Sequence, residues 1–159
     1  MTKVLVTYFS ATGNTKTLAE AVIEGVRSVT GVECVVKPVA QTTNADWLAA
    51  DGIIVGSPTY FGQMAARVKM MFDKTEKIYH KLEGKVGGAF TTSGGAGCGH
   101  EMTNISILMA MLVAGMVVKG TTRGPHFGPF AIGEPKSDDL NRARAYGKMI
   151  AGFTQVLYP

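Results

Sequence analysis

The sequence predicts an α/β fold in which a parallel sheet is covered by helices on both faces. Short apolar runs alternate along the chain with segments whose apolar residues recur at helical spacing. This alternation is typical of repeated βα units. The short runs are apolar at nearly every position, as expected of strands that are buried on both sides. The pattern predicts five strands and five main helices, and therefore a doubly wound, five-stranded parallel sheet.

Length and composition favour one domain. The chain has 159 residues, 46% of them hydrophobic and 18% charged, which is enough for one sizeable core. We therefore interpret residues 1–159 as a single domain. The opening MTKVLVTYFS lacks the order of a secretory signal, and no segment is apolar for long enough to span a membrane. We expect a cytoplasmic protein without a membrane span.

The cysteines and charges exclude several other classes. Cys34 and Cys98 show no ligand spacing, so we expect no metal site. The formal net charge is +4, but the basic residues are spread along the chain rather than grouped. The charge therefore does not indicate nucleic acid as a partner.

The first half of the chain predicts three strands with helical segments between them. The strands are residues 4–9, 32–36 and 52–56. Between the first two, a helix is expected from about Asn14, with apolar residues at helical spacing from Leu18 to Val29 and an end near Gly31. A short polar and helical stretch surrounds Trp47.

The second half predicts two further strands, at residues 86–91 and 116–119, and three helices. Two of these helices carry apolar residues at helical spacing over 64–75 and 102–112. The third starts near Ser137, where Asp138 and Asp139 suit a first helical turn. Residues 120–136, rich in Gly and Pro, are expected to form a long loop. We assign most of the nine methionines to core packing.

Ligands bind at the carboxyl ends of the strands in such a sheet, so three loops are candidates. The first loop reads SATGNT (10–15), the second SPTYFG (57–62) and the third TSGGAGCGH (92–100). In the first loop, a glycine, a helix start and several hydroxyls favour an anion held by neutral donors. The pattern is neither a nucleotide-triphosphate P-loop nor a G-x-G-x-x-G motif. The alternative is an ordinary helix cap with a turn.

The second and third loops suggest a flat ligand. Tyr60 and Phe61 directly follow a buried strand, where they would stack on a planar group or else pack on the adjacent helix. The glycines of the third loop let the backbone approach a ligand closely. A small buried role is expected for Cys98, and a bystander role for His100. A phosphate site, aromatic rings and an exposed backbone together describe a site for flavin mononucleotide (FMN).

These motifs resemble the flavodoxin superfamily over essentially the whole chain. FSATGNT is similar to the flavodoxin phosphate loop, and PTYFG and TTSGGAGCGHE resemble NAD(P)H:quinone oxidoreductases of the Trp-repressor-binding-protein type. The resemblance implies a flavodoxin-like sheet of order 2-1-3-4-5 and an FMN cofactor. The residues that it implies are, for the phosphate, Ser10, Ala11, Thr12, Gly13, Asn14 and Thr15; for the ring, Pro58, Thr59, Tyr60, Phe61 and Gly62; and for the pyrimidine edge, Thr92, Ser93, Gly94, Gly95, Ala96 and Gly97.

The chain also departs from those quinone reductases. Tyr60 stands where they usually carry a basic residue, and Ala114 stands where they carry a histidine. The stretch from Pro38 to Asp51 is shorter than theirs, which contributes to their assembly. Plain flavodoxin carriers tend to be strongly acidic, unlike this chain with its net charge of +4.

We predict an oxidoreductase that passes electrons from NAD(P)H to a quinone-like acceptor. The flavin would supply the chemistry, Tyr60 would tune it, and no catalytic side chain is required. The alternatives are a non-enzymatic electron carrier that docks on redox partner proteins, and a regulatory module without redox activity. We also expect a homodimer. His126, Phe127 and Phe130 are expected to cover the flavin, and Arg123 to meet an NADP phosphate.

Overall fold

The computed structural model describes residues 1–159, which form a seven-stranded sheet. The strands are β1 (Thr2–Tyr8), β2 (Val32–Pro38), β3 (Gly52–Tyr60), β4 (Gln63–Met64), β5 (Val86–Ser93), β6 (Val117–Val118) and β7 (Phe130–Ile132). The order is β2-β1-β3-β5-β6, with β7 also pairing with β5 and β4 with β3. All pairs are parallel except β3 with β4. When β6 and β7 are taken as one interrupted fifth strand, the predicted order 2-1-3-4-5 is confirmed.

The strand register brings the predicted loops to one edge of the sheet. Tyr8 of β1 lies opposite Gly56 of β3, which in turn lies opposite Phe90 of β5. The three central strands run in the same direction, so the chain leaves each of them at the same edge, although β3 and β5 extend beyond the end of β1. β3 runs through Tyr60, so most of the second loop is strand rather than loop.

Five α-helices cover the two faces of the sheet. They are α1 (Asn14–Arg27), α2 (Asn44–Ala49), α3 (Ala66–Asp73), α4 (His100–Val113) and α5 (Ser137–Leu157). Short 3₁₀ segments lie at Val39–Gln41, Lys74–Lys77 and Tyr79–Lys81. One core packs beneath α1 and α5, the other beneath α2, α3 and α4. No helix combines the length and the apolar character that crossing a membrane requires.

Two helix ends differ from the sequence prediction. α1 ends at Arg27 because the hydroxyl of Ser28 donates to the carbonyl of Gly25 at 2.7 Å and closes the last turn. The helix expected over 64–75 starts at Ala66, since Met64 belongs to β4. It tightens into a 3₁₀ turn from Lys74.

α1 and α5 touch through their backbones at two glycines. A Cβ atom on Gly25 would collide with the carbonyl oxygen of Arg144, and one on Gly147 with that of Val22. Only glycine permits so close an approach of two helices. An ion pair between Arg144 and Glu24, 2.5 Å from Nε to Oε2, joins the same two helices at the surface.

α4 buries a different side from the one predicted. Met102, Met109 and Leu112 were expected in the core but are exposed, as is Val113. We call these four residues the apolar strip. The buried positions are Thr103, Asn104, Ile107, Leu108 and Met111. The prediction was wrong because α4 is apolar around most of its circumference, so periodicity does not single out one side. Of the methionines, only Met71, Met111 and Met116 are fully buried.

The expected long loop at 120–136 is also corrected, because β7 lies within it. Residues 119–129, which we call the strand insertion, interrupt the fifth strand between β6 and β7. β6 pairs with the start of β5 and β7 with its end, so Ala89 in the middle has no strand partner on that side. Instead, the Ala89 N–H donates to the hydroxyl of Tyr146 at 3.1 Å. Burial raises the pKa of Tyr146 to about 12, so this hydroxyl is uncharged at neutral pH.

Candidate functional site

Direct contacts join the three predicted loops at the carboxyl edge of the sheet. The Thr15 and Thr92 hydroxyls are 2.7 Å apart and connect the first loop to the third. Gly99 connects the third loop to the second, because a Cβ built there would lie 2.7 Å from the Cα of Gly62. Gly99 has a φ of +88°, which also favours glycine. The structure therefore brings together the loops that the sequence assigned to one site.

The first loop wraps around the amino end of α1. Gly13, with a φ of 106°, is the residue just before the helix, and as a glycine it has no side chain that could accept a hydrogen bond from the first turn. Ser10 Oγ accepts the N–H groups of Gly13 and Lys16, each at 3.2 Å. The N–H groups of Asn14 and Thr15 have no acceptor within the protein. Ser10 thus caps the third residue of the helix, and the two N–H groups before it remain available to an anion.

The second loop is a tight hairpin. The chain turns at Phe61 and Gly62, both with positive φ, and β4 then pairs Tyr60 with Gln63. The hydroxyl of Ser57 accepts the N–H of Ala65 at 2.9 Å and so ties the hairpin to the start of α3. Tyr60 is 44% exposed, and Phe61 is fully exposed. Phe61 therefore does not pack on the adjacent helix, while Tyr60 is partly covered and partly open to solvent.

The third loop leaves open space beside these groups. Thr92 and Ser93 end β5, and the Ser93 hydroxyl donates to the carbonyl of Gly95 at 3.1 Å. A Cβ built on Gly94 or Gly97 would meet no atom within 4 Å, and the same holds for Gly13 and Gly62. The backbone of all three loops is thus open to the surroundings at these glycines. Free N–H donors, exposed aromatic rings and this space fit a phosphate-bearing planar cofactor such as FMN.

Several other predicted residues lie elsewhere or differ from expectation. Cys98 is exposed rather than buried. Phe130 belongs to β7 and stacks on His100, where the third loop ends and α4 begins, with ring centroids 4.1 Å apart. Arg123 lines a cavity of about 230 Å³ against α5, to which none of the three loops contributes.

Sequence reasoning missed a buried polar residue behind the third loop. The amide of Asn104 in α4 donates to the carbonyl of Gly128 at 3.0 Å and so fixes the strand insertion. Its carbonyl oxygen and Nδ1 of His100 are buried without hydrogen-bond partners. Their spacing of four residues was the available signal, because residues four apart share one side of a helix.

The fold and the site together define the class of the protein. It is a flavodoxin-like α/β protein whose anion-binding loop, aromatic hairpin and glycine-rich loop meet at one edge of a parallel sheet. A family model described as NADPH-dependent FMN reductase matches residues 17–124, and the chain belongs to this family.

Individual relatives agree with this assignment. The chain is 39% identical over 164 residues to a flavodoxin of Aquifex aeolicus, covering 98% of this chain and 89% of that protein. It is 34% identical over 191 residues to an NAD(P)H dehydrogenase (quinone) of Archaeoglobus fulgidus, covering 99% and 100%. Among solved structures, a flavodoxin, WrbA-like protein from Agrobacterium tumefaciens superposes with a TM-score of 0.84 at 27% identity, covering 98% and 99%.

The comparisons confirm the resemblance to the flavodoxin superfamily and the flavodoxin-like fold. They also confirm the predicted class, an FMN-linked oxidoreductase family. The names of the relatives differ, since one is a flavodoxin and the other a quinone dehydrogenase. The choice between carrier and enzyme therefore depends on the site.

Proposed function

We propose that this protein is an FMN-dependent oxidoreductase that takes electrons from NAD(P)H and passes them to a quinone-like acceptor. The observation that carries the proposal is the uncovered hairpin. An electron carrier needs only an exposed flavin edge, whereas a reductase needs room for a nicotinamide over the flavin face. Phe61 stands in solvent and Tyr60 is partly exposed, and the backbone at Gly62, Gly94 and Gly97 is open, which leaves such room.

In this proposal each loop holds one part of FMN. The first loop, Ser10 to Thr15, binds the phosphate through the free N–H groups of Asn14 and Thr15. The hairpin from Pro58 to Gly62 lies along the ring system, and the backbone from Thr92 to Gly97 faces the pyrimidine edge. When bound, FMN supplies the transfer of a hydride or of single electrons. Tyr60 shields the ring from water, which disfavours a charged form of the cofactor.

The loop assignment is tested at the hydroxyl pair between the first and third loops. Thr15→Val leaves the buried Thr92 hydroxyl without its partner, and we expect FMN affinity to fall about tenfold. Thr15→Ser keeps the hydroxyl and should retain most of the affinity. Thr30→Val, at an exposed threonine beyond the far end of α1, should have little effect. Quenching of flavin fluorescence measures all three, and equal affinities would contradict the assignment.

The enzymatic activity is tested by steady-state oxidation of NADPH and NADH with benzoquinone as acceptor. We expect turnover well above that of the same concentration of free FMN. Turnover no faster than free FMN would favour the second candidate function, an electron carrier. That candidate is supported by the flavodoxin relative at 39% identity. A carrier would still bind FMN and exchange electrons with a separate reductase.

We further propose that residues 1–159 act as one FMN-binding domain and pair into a homodimer through the apolar strip. The strip is exposed and belongs to the helix that follows the third loop, so pairing there would place two sites close to the interface. Sedimentation should show a dimer for the native chain and a monomer for the double variant Met109→Lys with Leu112→Lys. A monomeric native chain would contradict the homodimer.

The cytoplasm is the proposed location, where reduced nicotinamide cofactors are available. Both cysteines, Cys34 and Cys98, are free thiols, which suits a reducing compartment.

A further inference from the structure

A separate cavity adjoins the first loop on the β2 side of the sheet. It has a volume of about 570 Å³ and lies between the carboxyl ends of β1 and β2, the first turn of α1 and one side of α3. Ser10 belongs both to this cavity and to the first loop. The volume is within the range of small-molecule sites. In open α/β sheets the binding crevice runs along the carboxyl ends of the strands, and this cavity occupies the part that the three loops leave free.

The cavity is lined by cations and by no carboxylate. Lys16 comes from α1, and Arg67 and Lys74 come from α3 and its end. Arg67 and Lys74 form no ion pair, and Lys16 is 4.0 Å from its only acidic partner, Glu20. By contrast, Lys69, on the same helix but outside the cavity, pairs with Asp73 at 2.6 Å. The cavity therefore holds uncompensated positive charge that favours an anionic ligand.

The remaining lining is largely apolar. Phe9, Pro38 and Val39 contribute, and the guanidinium of Arg67 lies 5.4 Å from the centre of the Phe9 ring. This contact positions the guanidinium while leaving its N–H groups available. A cavity that combines apolar walls with cations suits a ligand with a planar ring system and a phosphate, as in a phosphorylated nucleoside.

We propose that this cavity binds the adenosine end of NADPH, with Arg67 and Lys74 contacting the 2′-phosphate, so that the protein prefers NADPH to NADH. The inference rests on the proposed function, because it assigns part of the electron donor to the same edge of the sheet. It replaces Arg123 as the residue that meets the NADP phosphate, since Arg123 lines a different and smaller cavity.

The test measures nucleotide binding without turnover. The FMN-loaded protein is titrated by calorimetry with adenosine 2′,5′-bisphosphate and, separately, with adenosine 5′-monophosphate. We expect the bisphosphate to bind at least about tenfold more tightly, because only it carries the 2′-phosphate. Arg67→Gln should remove most of this difference, and Arg67→Lys should keep part of it. Lys74→Gln is the second variant, which keeps the test valid if Arg67→Gln does not fold.

Two control variants complete the test. Lys69→Gln removes the same charge from the same helix outside the cavity and should bind both nucleotides as the native chain does. Arg123→Gln should also leave binding unchanged. Equal affinity for the two nucleotides, or a loss of discrimination with Arg123→Gln but not with Arg67→Gln and Lys74→Gln, would overturn the inference.

A failure of the proposed function is distinguishable from a failure of this inference. One outcome is that NADPH oxidation does not exceed that of free FMN while the bisphosphate still binds in an Arg67-dependent way. That result supports the cavity as a nucleotide site and rejects the proposed reductase activity. If NADPH and NADH are oxidised with equal KM and the protein binds the two adenosine nucleotides equally well, the reductase activity is supported and the cavity assignment is rejected.

Discussion

The two faces of the sheet are closed to different degrees by their helices. On the face covered by α1 and α5, glycines bring the two helix backbones into direct contact at Gly25 and Gly147. On the face covered by α3 and α4, cavities of about 570 Å³ and about 670 Å³ border α3, and α4 exposes its apolar strip. We refer to these as the closed face and the open face.

The closed face contributes mainly to the stability of the fold, whereas the open face has the features of a binding surface. Between α1 and α5 the close contacts leave no room for a ligand, and they make this contact intolerant of added atoms. The cavity of about 230 Å³ on this face lies between α5 and the strand insertion. The open face retains cavities, unpaired cations and exposed apolar side chains, which are features of surfaces that bind other molecules. Substitutions at the contact between α1 and α5 should therefore cost much stability, whereas substitutions at the exposed residues of the open face should cost little.

The largest effect is expected at Gly147 on the closed face. Gly147→Ala places a Cβ against the carbonyl oxygen of Val22 in α1, and we expect a loss of about 3 kcal/mol in the free energy of unfolding. Gly152→Ala in the same helix meets no atom within 4 Å and should stabilise the protein by roughly 0.8 kcal/mol. Urea unfolding measures both variants. Equal responses at the two glycines would show that the closed face is not tightly packed.

A smaller effect is expected at Tyr146, which closes the gap in the fifth strand. Tyr146→Phe leaves the buried N–H of Ala89 without an acceptor, and we expect a loss of about 2 kcal/mol. The ring itself is retained, so the packing should change little. Urea unfolding together with hydrogen exchange at Ala89 tests this prediction. An unchanged exchange rate would mean that the hydroxyl does not protect this amide.

The same tyrosine predicts a dependence on alkaline pH. Burial raises the pKa of Tyr146 from 10.0 to about 12, so the unfolded chain ionises this phenol first. The contribution to stability is complete below pH 10 and is lost as the pH rises from 10 towards 12. The stability difference between the native chain and Tyr146→Phe should therefore shrink over this window. Unfolding midpoints measured across it would refute the prediction if the difference stayed constant.

The smallest effect is expected on the open face. Leu112→Gln in the apolar strip should change the free energy of unfolding by no more than about 0.5 kcal/mol, because the side chain is already exposed. Leu108→Ala in the same helix is the contrast, since Leu108 is buried and its truncation should cost about 3 kcal/mol. The unfolding is measured at a protein concentration at which the chain is monomeric, so that pairing through the strip does not contribute. A large effect of Leu112→Gln there would indicate that the strip is packed within the monomer.

The sequence predicted the fold well wherever one side of an element differs clearly from the other. α1 has apolar residues on one side and polar residues on the other, so its buried positions, including Leu18, Val22 and Val26, were identified correctly. α4 is apolar on most sides, and there the same method identified Leu108 correctly but also chose Met102, Met109 and Leu112, which are exposed. β7 escaped prediction because a three-residue strand at Phe130–Ile132 depends on its pairing with the distant β5 rather than on a local pattern.

The site was predicted from a rule of topology rather than from local patterns. Parallel strands end at one edge, so the three loops were expected to meet, and they do. The hairpin at Phe61 and Gly62 was not predicted, because the pair lacks the Asn-Gly or Asp-Gly signature of a two-residue turn. The cavity with Arg67 was not predicted either, since its cations are distant from Lys16 in sequence and meet only in the fold.

The hydrogen bond from Ala89 to Tyr146 has a consequence for how this chain can change during evolution. A side chain from α5 supplies the acceptor that an uninterrupted neighbouring strand would otherwise provide. The backbone N–H of Ala89 is thus satisfied without a bond to residues 119–124. Asn104 bonds to the insertion only at the carbonyls of Gly128 and Pro129. The exposed part of the strand insertion is therefore free to lengthen, shorten or acquire new side chains while the sheet stays intact. New specificity could arise there without the cost of redesigning the core.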